Sequence, residues 1–393
     1  MPLSVSERTS HSKDWTGPSW ARWNGVIKRP YTVGVEEELM LLQPPHHALA
    51  QASDGVLERL SPRLTEHTSP ETHAAVIELA TDIHDDVAGA TGELAELRAQ
   101  LAEELDAMGL HGASAGTYPL AVENEIRVST ARRYREVSAS MRALARREPT
   151  MALHVHIGVP NPEGAVRLLN ALRGVVPILL ALSANSPFCN GRDSGFASMR
   201  TVIFQSFPRT GIPRWFAGYD DYALAADALI ASGALPGPSF LWWDVRLQPM
   251  LGTVEVRVMD AQSTVADSAP LIALVQSLAR LVLEGDYRET AFAPEVLAEN
   301  RFLAARDGSE AMLIDPAQRR LVPIRALVDA LVEQCRPHAE ALGCLADLDQ
   351  VVRLAEGNGA ARQRALAREA GLDDLTTALS DCFAANPGVR GAT

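Results

Sequence analysis

The 393-residue sequence predicts an α+β fold, in which a mainly antiparallel sheet is flanked by helices. Two observations support this prediction. Segments rich in β-branched residues, with alternating polar and apolar side chains, recur through the first two thirds of the chain, and helical periodicity takes over beyond residue 265. Strands interspersed with helices and followed by a helical end are typical of α+β proteins.

Three predicted strands carry ionisable side chains on one face and mostly valine or isoleucine on the other. Side chains alternate between the faces of a strand, so residues two apart share a face. The three pairs that share a face in this way are Glu36 and Glu38, His154 and His156, and Glu255 and Arg257. Acidic, imidazole and guanidinium groups on three strands suggest one sheet that carries a metal and phosphate site.

The other predicted elements follow from periodicity and from turn residues. Leucines at spacings of three and four residues predict the helix that begins at residue 89. In chain order we expect a flexible leader over 1–29, a loop with one short helix over 44–70, a strand over 74–80 whose helix signal is nearly as good, a helix over 89–108 and a short strand over 112–118. An arginine-rich helix over 129–147, an apolar helix over 162–182 bent or interrupted near Pro177, a loop-rich stretch over 185–215, a helix over 222–232 and helices beyond 265 should follow. One domain is expected over 30–384, with a tail over 385–393.

Composition excludes several classes of partner. A net charge of −13 argues against nucleic acid and against anionic membranes, because both require a basic surface. No apolar segment is expected to be long enough to span a membrane. The four cysteines form no CxxC pair, which favours a reduced, cytoplasmic setting.

Lysine is nearly absent from the chain. Lys13 and Lys28 are the only two, so 34 of the 36 basic residues are arginines. A P-loop and a Schiff base each need a lysine, and none follows residue 28. If the protein binds ATP, arginines and metal ions must neutralise the phosphates.

The carboxylates and imidazoles allow more than one interpretation. Several carboxylates in one place repel each other unless cations lie among them, and Mg²⁺ or Mn²⁺ prefers such oxygen ligands. Glu255 could instead form a structural salt bridge with Arg257. The pair His154 and His156 would also suit a zinc hydrolase, although no convincing set of further zinc ligands appears in the sequence.

Four arginines lie in or beside the loop-rich middle of the chain and the last strand. They are Arg200, Arg209, Arg246 and Arg257. Each alone is an ordinary surface charge. As a set beside several glycines, they favour the binding of a phosphate or a carboxylate.

Several motifs in this order resemble the carboxylate–amine ligases of the type 2 glutamate–cysteine ligase family. These motifs are GVEEELMLL, HVHIGV, LLALSANSPF with GRDSGFASMR, PRTGIP, WWDVR, GTVEVRVMDAQ and a late NRF. The resemblance runs from about residue 31 to 308 and continues more weakly to about 342. It implies a glutamine synthetase-like catalytic domain whose sheet carries the active site.

The resemblance also implies roles for individual residues. Metal ligands would be Glu36, Glu38, His154 and Glu255, for two or three Mg²⁺ or Mn²⁺ ions. Residues that act on the phosphate or on the substrate carboxylate would be Arg257, Arg246 and His156, with Glu71, Glu78, Arg200 and Arg209 on the substrate side. Departures from the family pattern at Tyr118, Cys189 and Leu247 bear on the substrate pocket, since they remove none of these ligands.

The function that the resemblance implies is ATP-dependent formation of an amide from a carboxylate and an amine, with glutamate and cysteine as default substrates. We expect small-molecule partners, no nucleic acid or membrane, and a homo-oligomer. Two alternatives stay open at this point. One is a metal-dependent hydrolase that uses His154 and His156, and the other is a non-catalytic protein of the same fold that binds a nucleotide or an amino acid.

Overall fold

The structure is a computed structural model that describes residues 17–24, 30–122, 126–287 and 292–385. Helices and short strands alternate through the first 260 residues, and helices dominate the rest. The strands are β1 Val33–Gln43, β2 Ala48–Leu49, β3 Thr68–Pro70, β4 Val76–Ala80, β5 His111–Ala113, β6 Ala152–Gly158, β7 Phe188–Cys189, β8 Arg192–Asp193, β9 Thr210–Gly211, β10 Trp242–Trp243, β11 Val245–Gln248, β12 Thr253–Asp260, β13 Met312–Asp315 and β14 Arg320–Pro323.

The α-helices of the described residues include the apolar helix predicted over 162–182 and the helices predicted beyond residue 265. They are α1 Ser53–Leu57, α2 Pro62–His67, α3 Val87–Ala107, α4 Arg132–Met141, α5 Pro162–Ser183, α6 Met199–Phe204, α7 Tyr219–Ala231, α8 Val265–Glu284, α9 Pro294–Asp307, α10 Ile324–Leu342, α11 Leu345–Asp349, α12 Val351–Glu356, α13 Gly359–Ala370 and α14 Leu372–Ala384. Pro177 lies within α5 and does not interrupt it.

Eight strands form the main sheet, in the order β11-β12-β6-β1-β4-β3, with β2 and β5 also paired to β1. All of these pairings are antiparallel. Helices α3, α5 and α8 pack against one face of the sheet. The predicted α+β architecture, with an antiparallel sheet flanked by helices, is therefore confirmed.

The valines of the three patterned strands face these helices, as predicted. Val35, Val155 and Val256 are buried in one continuous apolar core with α5 and α8. Because side chains alternate along each strand, the ionisable partners of these valines lie on the opposite face. That face carries the site described below.

Two core helices, α5 and α8, contradict the expectation that no apolar segment is long enough to span a membrane. By length and composition α5 and α8 could each cross a membrane, with mean hydropathies of 1.7 and 1.4 over 18 residues. Yet 83% of each of these stretches is buried inside the domain, which is the usual environment of a core helix. They are weak evidence for a membrane partner.

The hairpin of β13 and β14 was predicted to be helical, and this prediction was wrong. Each strand has four residues, which is too few for a period of two to stand out from a helical pattern. Asp315 ends the first strand, and its side chain accepts hydrogen bonds from the backbone N–H groups of Ala317 and Gln318. Such an Asx turn reverses the chain.

The segment over 44–70 is also more regular than predicted, since it holds two short helices and two short strands.

Part of the predicted leader packs on the domain, because the indole of Trp23 is buried and donates to the carbonyl of Val159 at 3.0 Å. Residues 1–16 and 25–29 of the leader lie outside the described residues, as do residues 386–393 of the tail. The domain boundaries therefore stay a prediction.

Candidate active site

The register of the sheet brings the predicted ionisable residues together on one face. His154 is paired with Glu36 across β6 and β1, and Glu38 is paired with Glu78 across β1 and β4. On the other side of β6, His156 is paired with Glu255 of β12. Side chains directly opposite each other on antiparallel strands are close neighbours. Strand pairing alone therefore accounts for most of the cluster.

Three overlapping groups in this cluster could each hold a metal ion. In each group, the potential ligand atoms lie within 4.8 Å of one another. The groups are Glu36, Glu78 and His154, then Glu36, His156 and Glu255, and finally Glu38, Glu71 and Glu78. Glu36 and Glu78 each belong to two groups, so the three groups form one continuous cluster. Glu71 and Glu78, predicted on the substrate side, lie within these groups.

Hydrogen bonds orient the ligand atoms. Thr253 Oγ1 lies 3.0 Å from Nδ1 of His156, which leaves Nε2 directed towards Glu36 Oε1 at 3.3 Å. The backbone N–H of Ala152 donates to Glu38 Oε2 at 2.7 Å. Partners of this kind fix the orientation of metal ligands.

Electrostatics argue that cations belong among these carboxylates. Burial and the nearby carboxylate of Glu71 raise the pKa of Glu38 to about 8. Burial, with the charges of Glu36, Glu71 and Glu38, raises the pKa of Glu78 well above its usual range. Burial also raises the pKa of Glu71. A divalent cation would remove this repulsion and favour the ionised forms.

The donor set fits magnesium or manganese. Carboxylate oxygens predominate, with one imidazole in each of two groups, and hard cations prefer oxygen ligands. The Nε2 atoms of His154 and His156 are buried and make no hydrogen bond within the described residues. Burial and the charge of Arg257 lower the pKa of His154 to about 4, so its ring is neutral and able to bind a metal.

Glu255 is held by protein cations as well. Arg246 donates to both of its oxygens, at 2.9 and 3.0 Å, and Gln248 donates at 2.6 Å. Nη1 of Arg257 also donates to Glu255. Burial opposes ionisation of Glu255, but these two arginines outweigh it and hold its pKa below the usual range. The salt bridge foreseen from the sequence thus coexists with a position in a possible metal site.

Arg246 and Arg257 differ in which of their hydrogen-bond donors remain unused within the described residues. Nη1 of Arg246 donates to the carbonyl oxygens of Ser239 and Leu241, so its donors are largely used within the protein. Arg257 keeps a buried Nε with no hydrogen-bond partner in the described chain, and Arg200 does too. Of these arginines, Arg257 and Arg200 are the ones placed to bind an anion.

A cavity of about 90 Å³ opens beside the third acidic group. Glu38, Glu71, Arg200 and Arg257 line it on the side of the sheet. The rest of its wall comes from segments outside the main sheet. These are residues 72–73, α4, the residues just before β6, α6 with the turn that follows it, and β10. A bound molecule would lie directly beside the candidate metal positions.

Arg209 lies apart from this cluster. Its guanidinium stacks over the ring of Trp242 at 5.0 Å, and Nε donates to the carbonyl of Phe240 at 3.1 Å. Arg209 does not line the cavity, whereas Trp242 does. Its proposed contact with substrate stays a prediction.

Sequence patterns gave no sign of several residues that complete the site. Gln248 and Thr253 orient ligands, as described above. Tyr134 lines the cavity, and its hydroxyl lies 3.4 Å from Glu71 Oε1. Alternation along β11 and β12 could have identified Gln248 and Thr253, because both share a face with Glu255. Tyr134 is on a helix whose neighbours no local pattern reveals.

The three departures from the family pattern lie in different environments. Tyr118 is buried, and its hydroxyl donates to the carbonyl of His47. Leu247 packs in the main apolar core. Cys189 contacts the cavity wall, because its thiol donates to Glu148 Oε2 at 2.6 Å. This departure is therefore placed to affect the cavity.

Solved structures with this architecture include two enzymes. A glutamate–cysteine ligase from Francisella tularensis, crystallised with AMP, has a TM-score of 0.69 at 14% identity, over 92% of this chain and 90% of that one. A bifunctional glutathione synthetase from Pasteurella multocida has a TM-score of 0.63 at 12% identity, over 90% of this chain and 52% of that one. At these identities the likeness shows a shared fold.

Comparison of amino-acid sequences gives more specific information about the family than the shared fold does. A Rubrobacter xylanophilus protein with the provisional name glutamate–cysteine ligase 2-1 is 39% identical over 343 residues, which are 87% of this chain and 91% of that protein. A Sorangium cellulosum protein with the provisional name glutamate–cysteine ligase 2 is 35% identical over 350 residues, 87% and 93% of the two chains. The model of glutamate–cysteine ligase family 2 matches residues 32–377. The chain therefore belongs to glutamate–cysteine ligase family 2.

Proposed function

We propose that this protein is an ATP-dependent ligase that joins a carboxylate to an amine, with glutamate and cysteine as the default substrates. The observation that carries the proposal is the set of three overlapping acidic groups beside a cavity lined by Arg200 and Arg257. The names of the relatives support the type of reaction, and the AMP bound by the Francisella enzyme supports a nucleotide site.

The reaction would take place in two steps. An oxygen of the substrate carboxylate bonds to the γ-phosphorus of ATP while the bond to the leaving oxygen of ADP breaks. The acceptor amine first loses a proton from its ammonium form to solvent, and its nitrogen then bonds to the carbonyl carbon of the acyl phosphate. Phosphate leaves, and the nitrogen loses a second proton to give the amide. Mg²⁺ or Mn²⁺, when bound, would neutralise the phosphate charges.

The contribution of the chain itself is to orient the reactants and to stabilise negative charge. Arg257 is buried, and its free Nε can donate to an oxygen of the transferred phosphoryl group. Arg200 is held by the carbonyl oxygens of Arg257 and Val258 at 3.1 and 3.0 Å, which fixes its guanidinium at the cavity wall. Arg246 keeps Glu255 in place.

The proposed reaction predicts that ADP and phosphate form in equal amounts with the amide. Formation should require magnesium, glutamate and cysteine together, because the acyl phosphate needs the acid and its breakdown needs the amine. Coupled measurement of ADP and mass spectrometry of the product test this. AMP as the nucleotide product, or turnover without nucleotide, would contradict the proposal.

The acidic groups predict that each chain binds two or three Mn²⁺ ions. Titration followed by the loss of the free Mn²⁺ electron paramagnetic resonance signal gives the number, and competition with Mg²⁺ shows that the sites are shared. One tightly bound zinc ion, together with hydrolysis that needs no ATP, would instead favour the metal-dependent hydrolase. Normal metal binding without any turnover would favour the non-catalytic binding protein.

A further inference from the structure

The cavity contains one carboxylate that the candidate metal groups leave unused. Three acidic residues line it, namely Glu38, Glu71 and Glu148. Glu38 and Glu71 both belong to the third acidic group, together with Glu78. Glu148 belongs to none of the groups that could hold a metal ion among the described residues. Its charge is therefore available for another ligand.

Glu148 has no cationic partner within the described chain. Its hydrogen bond comes from the thiol of Cys189, which is a weak and neutral donor. Arg133 lines the same cavity, but its guanidinium lies over the ring of Phe240 at 5.8 Å and forms no salt bridge with Glu148. A partly buried carboxylate without a counter-ion favours the binding of a cation from solution.

Aromatic side chains form another part of the cavity wall. The rings of Phe204 and Phe207 lie 5.9 Å apart, and that of Phe207 meets the ring of Trp242 edge to face at 6.1 Å. All three residues line the cavity. Aromatic surfaces accept the apolar part of an organic amine, and their faces attract its charged end.

We propose that Glu148 binds the ammonium group of the acceptor substrate, and that this subsite takes a small primary amine that is cationic at neutral pH. The inference rests on the proposed ligase function, because it assigns the amine to the cavity beside the candidate metal positions. A volume of about 90 Å³ favours a small acceptor over a peptide. Glu148 is thus a specificity-determining residue that no sequence motif indicated.

Kinetics with Glu148→Gln test the proposal, since the amide keeps the size of the side chain and removes its charge. With L-cysteine as acceptor, the KM for the amine should rise about 10- to 100-fold, as expected for the loss of a hydrogen bond to a charged group. The KM values for ATP and glutamate should stay within about threefold. Glu103→Gln is the matched control, because Glu103 is exposed on α3 and does not line the cavity.

Hydroxylamine separates this subsite from the ligase reaction as a whole. It is mostly uncharged at neutral pH, so Glu148→Gln should form the hydroxamate of glutamate at close to the wild-type rate. Equal losses with hydroxylamine and with L-cysteine would show a general defect and would overturn the role of Glu148. A wild-type protein that forms no hydroxamate with ATP and glutamate would count against the proposed function instead.

Direct measurement of amine binding tests the subsite even if the protein shows no ligase turnover. Calorimetric titration of ammonium, methylamine, glycine and L-cysteine into the magnesium-loaded protein should show binding of at least one amine to the wild type. That binding should weaken at least 10-fold in Glu148→Gln and stay unchanged in Glu103→Gln. If none of the four amines binds the wild type, or if an amine binds Glu148→Gln and Glu103→Gln equally well, the proposal is overturned.

Discussion

Replacing Glu36 with glutamine should slow amide formation by at least about 100-fold and weaken Mn²⁺ binding. Glu36 belongs to two of the three acidic groups, where it is combined with His154 in one and His156 in the other. An amide has no charge and only one acceptor oxygen, so it is a poor ligand for a hard cation. Loss of an outer partner of a metal ligand already costs about 10- to 100-fold, and a direct ligand should cost more. Steady-state rates and Mn²⁺ titration measure both effects.

Glu103→Gln makes the same chemical change at an exposed position on α3 and should leave the rate within about twofold of wild type. Thermal unfolding of the Glu36 variant should occur within a few degrees of the wild-type temperature, which would exclude unfolding as the cause of the lost rate. Full Mn²⁺ binding by Glu36→Gln, with a rate within threefold of wild type, would remove Glu36 from the list of metal ligands.

Local alternation made a large part of the site predictable. A period of two places Glu36 and Glu38 on the same face of β1, and His154 and His156 on the same face of β6, whatever the neighbouring strands are. Apolar residues that alternate with them, such as Val35 and Val155, require the opposite face to be buried against helices, which sets the polar face towards the site. Which side chains share a face depends on only a few consecutive residues, so it can be inferred from the sequence alone.

The order of the strands is not local information. Residues about 100 positions apart meet because β12 and β1 both pair with β6, and no short pattern specifies those neighbours. The cavity wall has the same origin, since Tyr134, Glu148, Phe204 and Trp242 come from four separate segments. Sequence analysis could therefore find the residues on the sheet, but it could not find Glu148 or the aromatic wall.

Charge patterns on the strands were ambiguous for a related reason. Glu37 lies between Glu36 and Glu38, and the sequence gives the three glutamates the same appearance. The structure separates them, because Glu37 points to the opposite face of β1 and forms a buried ion pair with Arg98 of α3. Glu37 stabilises the fold through this ion pair, whereas Glu36 and Glu38 lie in the candidate site.

This ion pair predicts a large effect on stability. Arg98 Nε donates to Glu37 Oε2 at 2.6 Å and its Nη2 to the other oxygen, while Nη1 and Nη2 also donate to the carbonyl oxygens of Ser263 and Gln262. Arg98→Met would leave the carboxylate of Glu37 fully buried without a counter-ion. Breaking a buried pair in this way costs about 3–5 kcal/mol, and urea unfolding measures the change in the free energy of unfolding.

A double variant distinguishes the buried charge from lost packing. Glu37→Leu combined with Arg98→Met removes both charges, and it should recover at least half of the stability lost in Arg98→Met, since apolar residues can replace a buried pair at little cost. Arg132→Met is the control, because its pair with Glu136 is exposed and should contribute less than about 1 kcal/mol. A loss below about 1 kcal/mol in Arg98→Met, or additive losses in the double variant, would contradict the argument.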